Sequence, residues 1–270
     1  MSKREATPSP GDTARTLALL WGNHTKPGRS GLTVAAIVRA AMEIADAAGL
    51  EAVGMRQVAE RLNVGTMSLY THVPSKAELI ALMADIAYGE LYDDASEPVR
   101  QPGGWRGGMT FVARRNWELY ARHPWLMEIT EARPMIGPHA SLKYEAELGP
   151  LEGIGLDDVE IDSTLTLILS HVANAASMRI NHLAAQQQSG QSDAEWWHEM
   201  SPLLDHVFQG RHFPLSARIG EASSVAYDGV LDPDHVLTFG LERILDGVEV
   251  LITRRLAERE SAADAASDGR

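Results

Sequence analysis

The chain has 270 residues, 24 Lys and Arg against 37 Asp and Glu for a formal charge of −13, and no cysteine, which excludes a disulfide framework and a thiolate metal site. No apolar run approaches the roughly 20 residues of a membrane-spanning helix, and Leu17 to Trp21 is too short for a signal-peptide core. The expectation is a cytoplasmic protein with a small domain and a larger second one.

Residues 1–31 are rich in Ser, Thr, Pro and Gly and read as a flexible N-terminal extension, in which Thr13 to Trp21 is apolar enough for a short helix. Lys26 and Arg29 stand just before Thr33 and allow two readings: a basic arm that reaches the minor groove or backbone of DNA, or a linker with incidental charge. Thr33 is the expected cap of a first helix that buries Ile37, Ala41, Ile44, Ala45 and Ala48 and stops at Gly49.

Residues 55–76 carry the strongest signal. Val58, Ala59 and Leu62 recur at helical spacing opposite Arg56, Gln57, Glu60 and Arg61. Gly54 is a usable N-cap, and Asn63 stands where the chain must turn through a left-handed conformation that Asn tolerates. Val64 plugs the angle before a second helix that begins near Gly65 or Thr66 and buries Leu69 and Val73 at i and i+4. Pro74 ends that helix. Ser75-x-x-Glu78 is a capping box for a third, running through Leu79, Ile80, Leu82, Met83 and Ile86. A helix that enters the major groove needs short hydroxyl side chains at base edges and longer ones for phosphates. Thr66, Ser68 and Thr71 meet the first need. Tyr70, His72, Lys76 and, from the preceding helix, Arg56 meet the second. Taken singly, each is an ordinary residue of a solvated face; the ordered set of stop, turn, cap and hydroxyl-aromatic face points to DNA.

Asp94 to Gly104 reads as a loop, and the remainder reads as helical, with turns at Pro124, Pro134 to Pro138, Gly149 to Gly155, Gly190 and Gly210 to Pro214. Two long helices stand out. One runs from about Asp157 to Gln187 with Ile161, Leu165, Ile168, Leu169, Val172, Ala176 and Ile180 on an apolar face. The other starts at the Asp232-Pro233 cap and carries Val236, Phe239, Ile244, Val248, Leu251 and Ile252. Gly240 and Gly247, seven apart, either form a self-packing seam with Ile168, Val172, Ile244 and Leu251 against a second copy, or aid packing within one subunit. Phe111, Trp117, Tyr120, Trp125, Met127, Met178, Trp196 and Trp197 supply aromatic and soft side chains for a small-molecule cavity or an ordinary core. His171, Asn174 and His182 interrupt the long apolar helix; the two histidines share a face, as satisfied polar groups, ligand contacts or, last, metal ligands.

The charge divides unevenly. Residues 1–82 balance at +2 and residues 83–270 at −15, a mildly positive reader on an acidic body, whose DNA affinity should fall steeply with salt. Enzyme signatures are weak: Glu195-Trp196-Trp197-His198 is a single Glu-x-x-His, where a di-iron bundle wants two. Gly-rich phosphate loops, a nucleophile elbow and a His-Glu-x-x-His motif are absent from the sequence. A helical enzyme without a motif and a dimeric adaptor without DNA binding are the competing classes. No cofactor and no metal are expected.

Leu32-Thr33, Ala40-Ala41, Gly49-Leu50, Met55-Arg56, Ala59, Leu62-Asn63-Val64, Ser68-Leu69-Tyr70, His72-Val73 and Lys76-Ala77-Glu78-Leu79 together resemble the tetracycline-repressor (TetR) family of bacterial transcription regulators. The segment FGLERILDGVEVLI at 239–252 is similar to the final dimerisation helix of its tetracycline-repressor subgroup. Gly54 stands where the family has Ser or Thr, and Asn63 where it has Gly. The resemblance implies an all-α fold: a three-helix helix-turn-helix domain over 32–92, a helical ligand-binding and dimerisation domain over 93–257, and a disordered tail over 258–270. It implies DNA contacts from Arg56, Thr66, Met67, Ser68, Tyr70, Thr71, His72 and Lys76, and a homodimer through a four-helix bundle. That dimer would set two reading helices roughly 34 Å apart on a palindromic operator, with release by a small-molecule effector. The candidate effector contacts are Phe111, Trp117, Trp125, Met127, His171, Asn174, Met178 and His182.

Overall fold

The computed structural model describes residues 10–22, 31–129, 136–208 and 211–268, and among these it holds eleven α-helices and no strand. Lys26 and Arg29 lie outside the described residues. The reader is built from α2 (Val34–Ala48), α3 (Met55–Arg61), α4 (Thr66–Tyr70) and α5 (Lys76–Tyr88). Thr33 caps α2, its Oγ1 accepting from Ala36 N at 3.1 Å. Ile37, Ala41 and Ala45 are buried as the periodicity predicts, with Val38, Ala40 and Met42 buried beside them; Ile44 is half-buried and Ala48, in the last turn, is exposed. Asn63 adopts φ +52°, the left-handed turn expected between α3 and α4.

Ser75 caps α5, its Oγ accepting from Glu78 N at 3.3 Å. The Glu78 carboxylate, only 3% exposed, also takes the Ser75 hydroxyl and Arg15 Nε at 2.6 Å. Arg15 belongs to α1 (Pro10–Leu20), which packs on α5 with Leu20 fully enclosed. The apolar stretch read within the N-terminal extension is therefore a docked helix, held by a buried carboxylate that the capping box alone would not have needed.

The body comprises α6 (Gly104–Arg122), a 3-10 turn Pro124–Glu128, α7 (Pro138–Leu148), α8 (Asp158–Ser189), α9 (Asp193–Phe208), α10 (Pro214–Tyr227) and α11 (Pro233–Asp268). Helix α8 packs between α6 and α11 along its apolar face. A full capping box starts it: Asp157 Oδ1 accepts from Glu160 N at 2.9 Å, and Glu160 Oε2 accepts from Asp157 N at 3.0 Å. Asp232 caps α11 as expected, accepting from His235 N at 3.0 Å. The tail expected to be disordered from residue 258 instead continues α11 to Asp268. Extending an existing helix fixes one residue per bond gained, and the alanine-rich ESAADAASD has the propensity for it.

Helix α7 has no capping side chain of its own, since Gly137 precedes Pro138. Asp85 of α5 supplies the cap: Oδ1 accepts from Ala140 N at 2.9 Å and Oδ2 from His139 N at 3.5 Å. Glycine is required at 137 by that approach, because a Cβ there would stand 2.1 Å from Asp85 Oδ1.

Two variants test these ties. Arg15→Ala leaves the buried Glu78 carboxylate without its guanidinium and should lower stability by about 2 kcal/mol in denaturant titration. Asp85→Ala strips the cap from α7 and should cost about 1–2 kcal/mol. An unchanged midpoint for either would mean that the corresponding contact does not support the fold.

Candidate DNA interface and effector cavity

Helix α4 turns Leu69 into the core, and Val73, just beyond its end, is fully buried as well. That placement leaves Met67, Tyr70, Thr71, Lys76 and Arg56 exposed, with Thr66, Ser68 and His72 half-buried beside them. Three of these groups are held by short-range bonds. Thr71 Oγ1 donates to Ser68 O at 2.7 Å, Arg56 Nε donates to Glu60 Oε1 at 2.8 Å, and Lys76 Nζ lies 3.4 Å from Leu50 O. The Glu60 hydrogen bond raises the pKa of Arg56, so its charge is secure. Both partners are well exposed, so exchanging Glu60 for a phosphate meets at most a small barrier. The α4 amides and this hydroxyl, aromatic and cationic set form a surface suited to a major groove.

Behind the reader is a cavity of ≈ 760 Å³. One wall is α5 itself, through Ile80, Ala81, Ala84 and Tyr88; Tyr120 of α6 and Leu126 and Ile129 at the 3-10 turn form the next. Ala140, Ser141, Lys143, Tyr144 and Glu147 of α7 close a third side, and Asp162, Leu165, Thr166 and Leu169 of α8 a fourth. Burial, with the Tyr88 and Glu147 charges behind it, pushes the Tyr120 hydroxyl pKa upward, so the phenol stays neutral and available as a donor.

Tyr120, from the aromatic set noted in the sequence, lines this cavity, whereas the eight proposed effector contacts do not. Trp125 is buried and donates to Asp46 Oδ1 at 2.6 Å. Trp117 is buried with the Arg179 guanidinium 5.2 Å from its ring centre, and Phe111 packs on Tyr92. Met127 is half-buried between the cavity-lining Leu126 and Ile129. His171 Nε2 lies 3.0 Å from Leu237 O, and Asn174 Nδ2 lies 3.7 Å from the Met178 sulfur. His182 Nε2 lies 3.4 Å from Asp193 Oδ2 where α8 meets α9. Periodicity marked these groups as unusual without telling which side of α6 or α8 faces empty space. The available signal was α5, apolar on more sides than a three-helix reader has to cover, together with the i, i+4 pair Lys143 and Glu147.

The seam residues also divide. Ile168 and Val172 are completely enclosed by their own chain, so the expectation that they meet a second copy is corrected: α6 and α11 cover that face of α8. Gly240 serves packing within the subunit, since a Cβ there would stand 2.2 Å from His171 Cε1. Gly247 is open, with nothing within 4 Å of an added Cβ. With Ile244 and Leu251 it faces Val159, Ser163 and Leu167 of α8 across a shallow groove of ≈ 480 Å³.

The reader and the body are also joined at the C-terminus of α2. His123 Nδ1 lies 2.6 Å from Asp46 Oδ1, the same oxygen that Trp125 reaches, and Glu128 Oε1 accepts from Leu50 N at 3.3 Å. The turn carrying His123, Trp125 and Glu128 also carries the cavity-lining Leu126.

Comparison with known proteins agrees with both halves. Residues 37–83 match the model of bacterial regulatory proteins of the tetR family, and residues 97–252 match the tetracyclin repressor-like C-terminal domain. The HTH-type transcriptional repressor DrrR1 of Streptomyces coeruleorubidus is 39% identical over 260 residues, covering 93% of this chain and 91% of the relative. Apo ActR of Streptomyces coelicolor is 26% identical with a TM-score of 0.62, covering 83% of this chain and 97% of ActR. ActR in complex with actinorhodin is similar at 26% identity and a TM-score of 0.61, over 82% of this chain and 98% of that one. With more than half its length in one family model and a repressor relative at this identity, the chain belongs to the tetR family of bacterial regulatory proteins.

Proposed function

We propose that this protein is a homodimeric repressor that binds a palindromic operator through α4 and is released when a small molecule fills the cavity behind α5. The observation that carries the coupling is that α5 is shared: the helix that follows the reading helix is also a wall of the cavity. ActR, which has the same fold, has been solved with actinorhodin bound. A ligand that favours a different spacing between α5 and the α7 and α8 walls would tilt the reader, and two tilted readers no longer match sites one DNA turn apart, roughly 34 Å. Reciprocity then requires operator DNA to weaken effector binding by the same factor, typically worth about 1–3 kcal/mol.

The dimer reading is supported by the apolar surface one subunit leaves open. Val159, Leu167 and Val250 are exposed on or beside the Gly247 groove, and Trp197, Leu203, Phe213, Leu215, Ile219 and Val225 are exposed on α9 and α10. Patches of this kind mark association surfaces. Gly247 permits close approach of a second α11 at a helix-propensity cost of about 1 kcal/mol.

A Cβ at position 247 has no atom of its own subunit within 4 Å and opens onto the shallow groove, so Gly247→Leu should leave the unfolding midpoint of the subunit unchanged or slightly raised. In sedimentation it should weaken dimerisation by at least about tenfold. A variant that stays dimeric at low concentration would remove Gly247 from the seam.

Selection of duplexes from a random-sequence pool should enrich a palindrome, and titration of the winner at two salt concentrations should show a steep salt dependence. Tyr70→Ala should weaken every sequence by about tenfold, and Lys76→Ala should reduce the salt slope by about one. Thr66→Ala or Thr71→Ala should change which base is preferred, and loss of Arg56, Ser68 or His72 should weaken the best duplex. A pool with no enrichment would favour the dimeric adaptor or a helical enzyme instead, and full affinity in Tyr70→Ala would displace α4 as the reading helix.

A further inference from the structure

The charges of the cavity select among ligands as well as its volume does. Among the described residues its charge-bearing lining is Lys143, Glu147 and Asp162. Glu147 is fully enclosed and accepts from Lys143 Nζ at 2.6 Å, Asn116 Nδ2 at 2.6 Å and Tyr92 Oη at 2.9 Å. Lys143 is thus neutralised in place; Glu147 takes one of its three donors, and the ammonium also sits 5.8 Å from the Tyr88 ring centre. Asp162 stands differently at the α8 rim. It accepts from the Tyr144 hydroxyl at 2.7 Å, and among the described residues no Lys, Arg or His nitrogen lies within ion-pair distance of it. The Asp162 hydrogen bond raises the Tyr144 pKa, so the phenol remains neutral and does not add a charge of its own.

Among the described residues the lining therefore holds one compensated ion pair and one carboxylate without a cation. We infer that the effector is a largely apolar molecule bearing a cationic amine, which Asp162 holds at the rim while Lys143 donates to a neutral oxygen deeper in the cavity. An amine at Asp162 gains a charge-assisted hydrogen bond. An anion entering the same space meets the Asp162 charge and finds the Lys143 charge already taken. Asp162 is exposed, so screening keeps the preference moderate rather than absolute. The ring walls suit the body of such a ligand: Ile80, Ala84, Leu126 and Leu169 are aliphatic, and Tyr88 and Tyr120 present aromatic faces.

This inference rests on the cavity being the effector site, and the test separates the two. Acridine, 9-aminoacridine and acridine-9-carboxylate share one tricyclic skeleton and are neutral, cationic and anionic at about pH 8. Their binding to the full-length protein, without DNA, is read by fluorescence titration. The expected order places 9-aminoacridine about tenfold tighter than acridine-9-carboxylate, with acridine between. Asp162→Asn should shrink the cation-to-anion ratio to within about twofold, and raised salt should narrow it in the native protein. If all three bind but without that order, or if Asp162→Asn leaves the ratio intact, charge selection is overturned and the cavity remains a ligand site. If none binds, the effector reading of the cavity falls, and this inference falls with it.

Discussion

The structure turns on the burial of α5 from every side. Glu78, Leu79, Ala81, Leu82, Met83, Ala84, Asp85 and Ala87 are all enclosed, which leaves the helix almost no solvated stripe. A helix covered all round needs a neighbour on each face. Here α1 and α2 take two faces, α7 takes another, and the cavity occupies what remains. Two carboxylates among the buried residues are compensated by groups from other elements: Glu78 by Arg15 and the Ser75 hydroxyl, Asp85 by the first amides of α7. Removing either partner would strand a buried charge, so both contacts fix position as well as stability. One helix consequently joins α1, the reader and the cavity wall.

Acidity in the body has a local structural use. Helix α11 presents Asp234, Asp246 and Glu249 to Arg114 and Arg106 of α6, at 3.2, 2.8 and 2.9 Å. Arg255 of α11 returns to Glu160, the carboxylate that completes the α8 capping box, at 2.6 Å. Each pair is partly exposed and weak alone. Together they brace α11 against α6 and against the start of α8, and so orient the groove around Gly247 without adding apolar surface to it. The negative charge is spread over the body, and the reader presents Arg56 and Lys76.

Much of this was legible in the sequence where local chemistry decides. The reader boundaries at Thr33, Asn63 and Ser75 followed from the sequence, because caps and left-handed turns are set by a few adjacent residues, whereas the helix expected to run to Pro74 ends at Tyr70. The long helices α8 and α11 followed from periodicity and from the Asp232-Pro233 start. The cavity did not, because it is a product of how four elements meet. Trp117 and Trp125, large and rare, looked like ligand contacts and are core. Lys143, Glu147 and Asp162, which line the space, belong to no pattern that the sequence reading singled out. The seam was half legible for the same reason: a glycine pair seven residues apart marks one helix face, yet Gly240 is filled by His171 from its own subunit and only Gly247 is left open.

The proposed coupling between cavity and reader rests on where the ties are placed. Asp85 binds α5 to α7 near one end of the cavity, and Asp46 binds the end of α2 to the His123–Trp125 turn near another. Between these points α5 contributes small or flexible side chains, Ala81, Ala84 and Ile80, to the cavity wall. Close-packed cores shift as units rather than deform continuously. A ligand that widens the space between α5 and α8 must therefore carry the reader with it or break one of the carboxylate ties. A ligand that fits the DNA-bound and released spacings equally well shifts nothing, however tightly it binds. On the proposed mechanism an effector acts as a signal only if its body is too broad for the operator-bound width, so that its differential fit, not its total affinity, would set how far the repressor leaves its site.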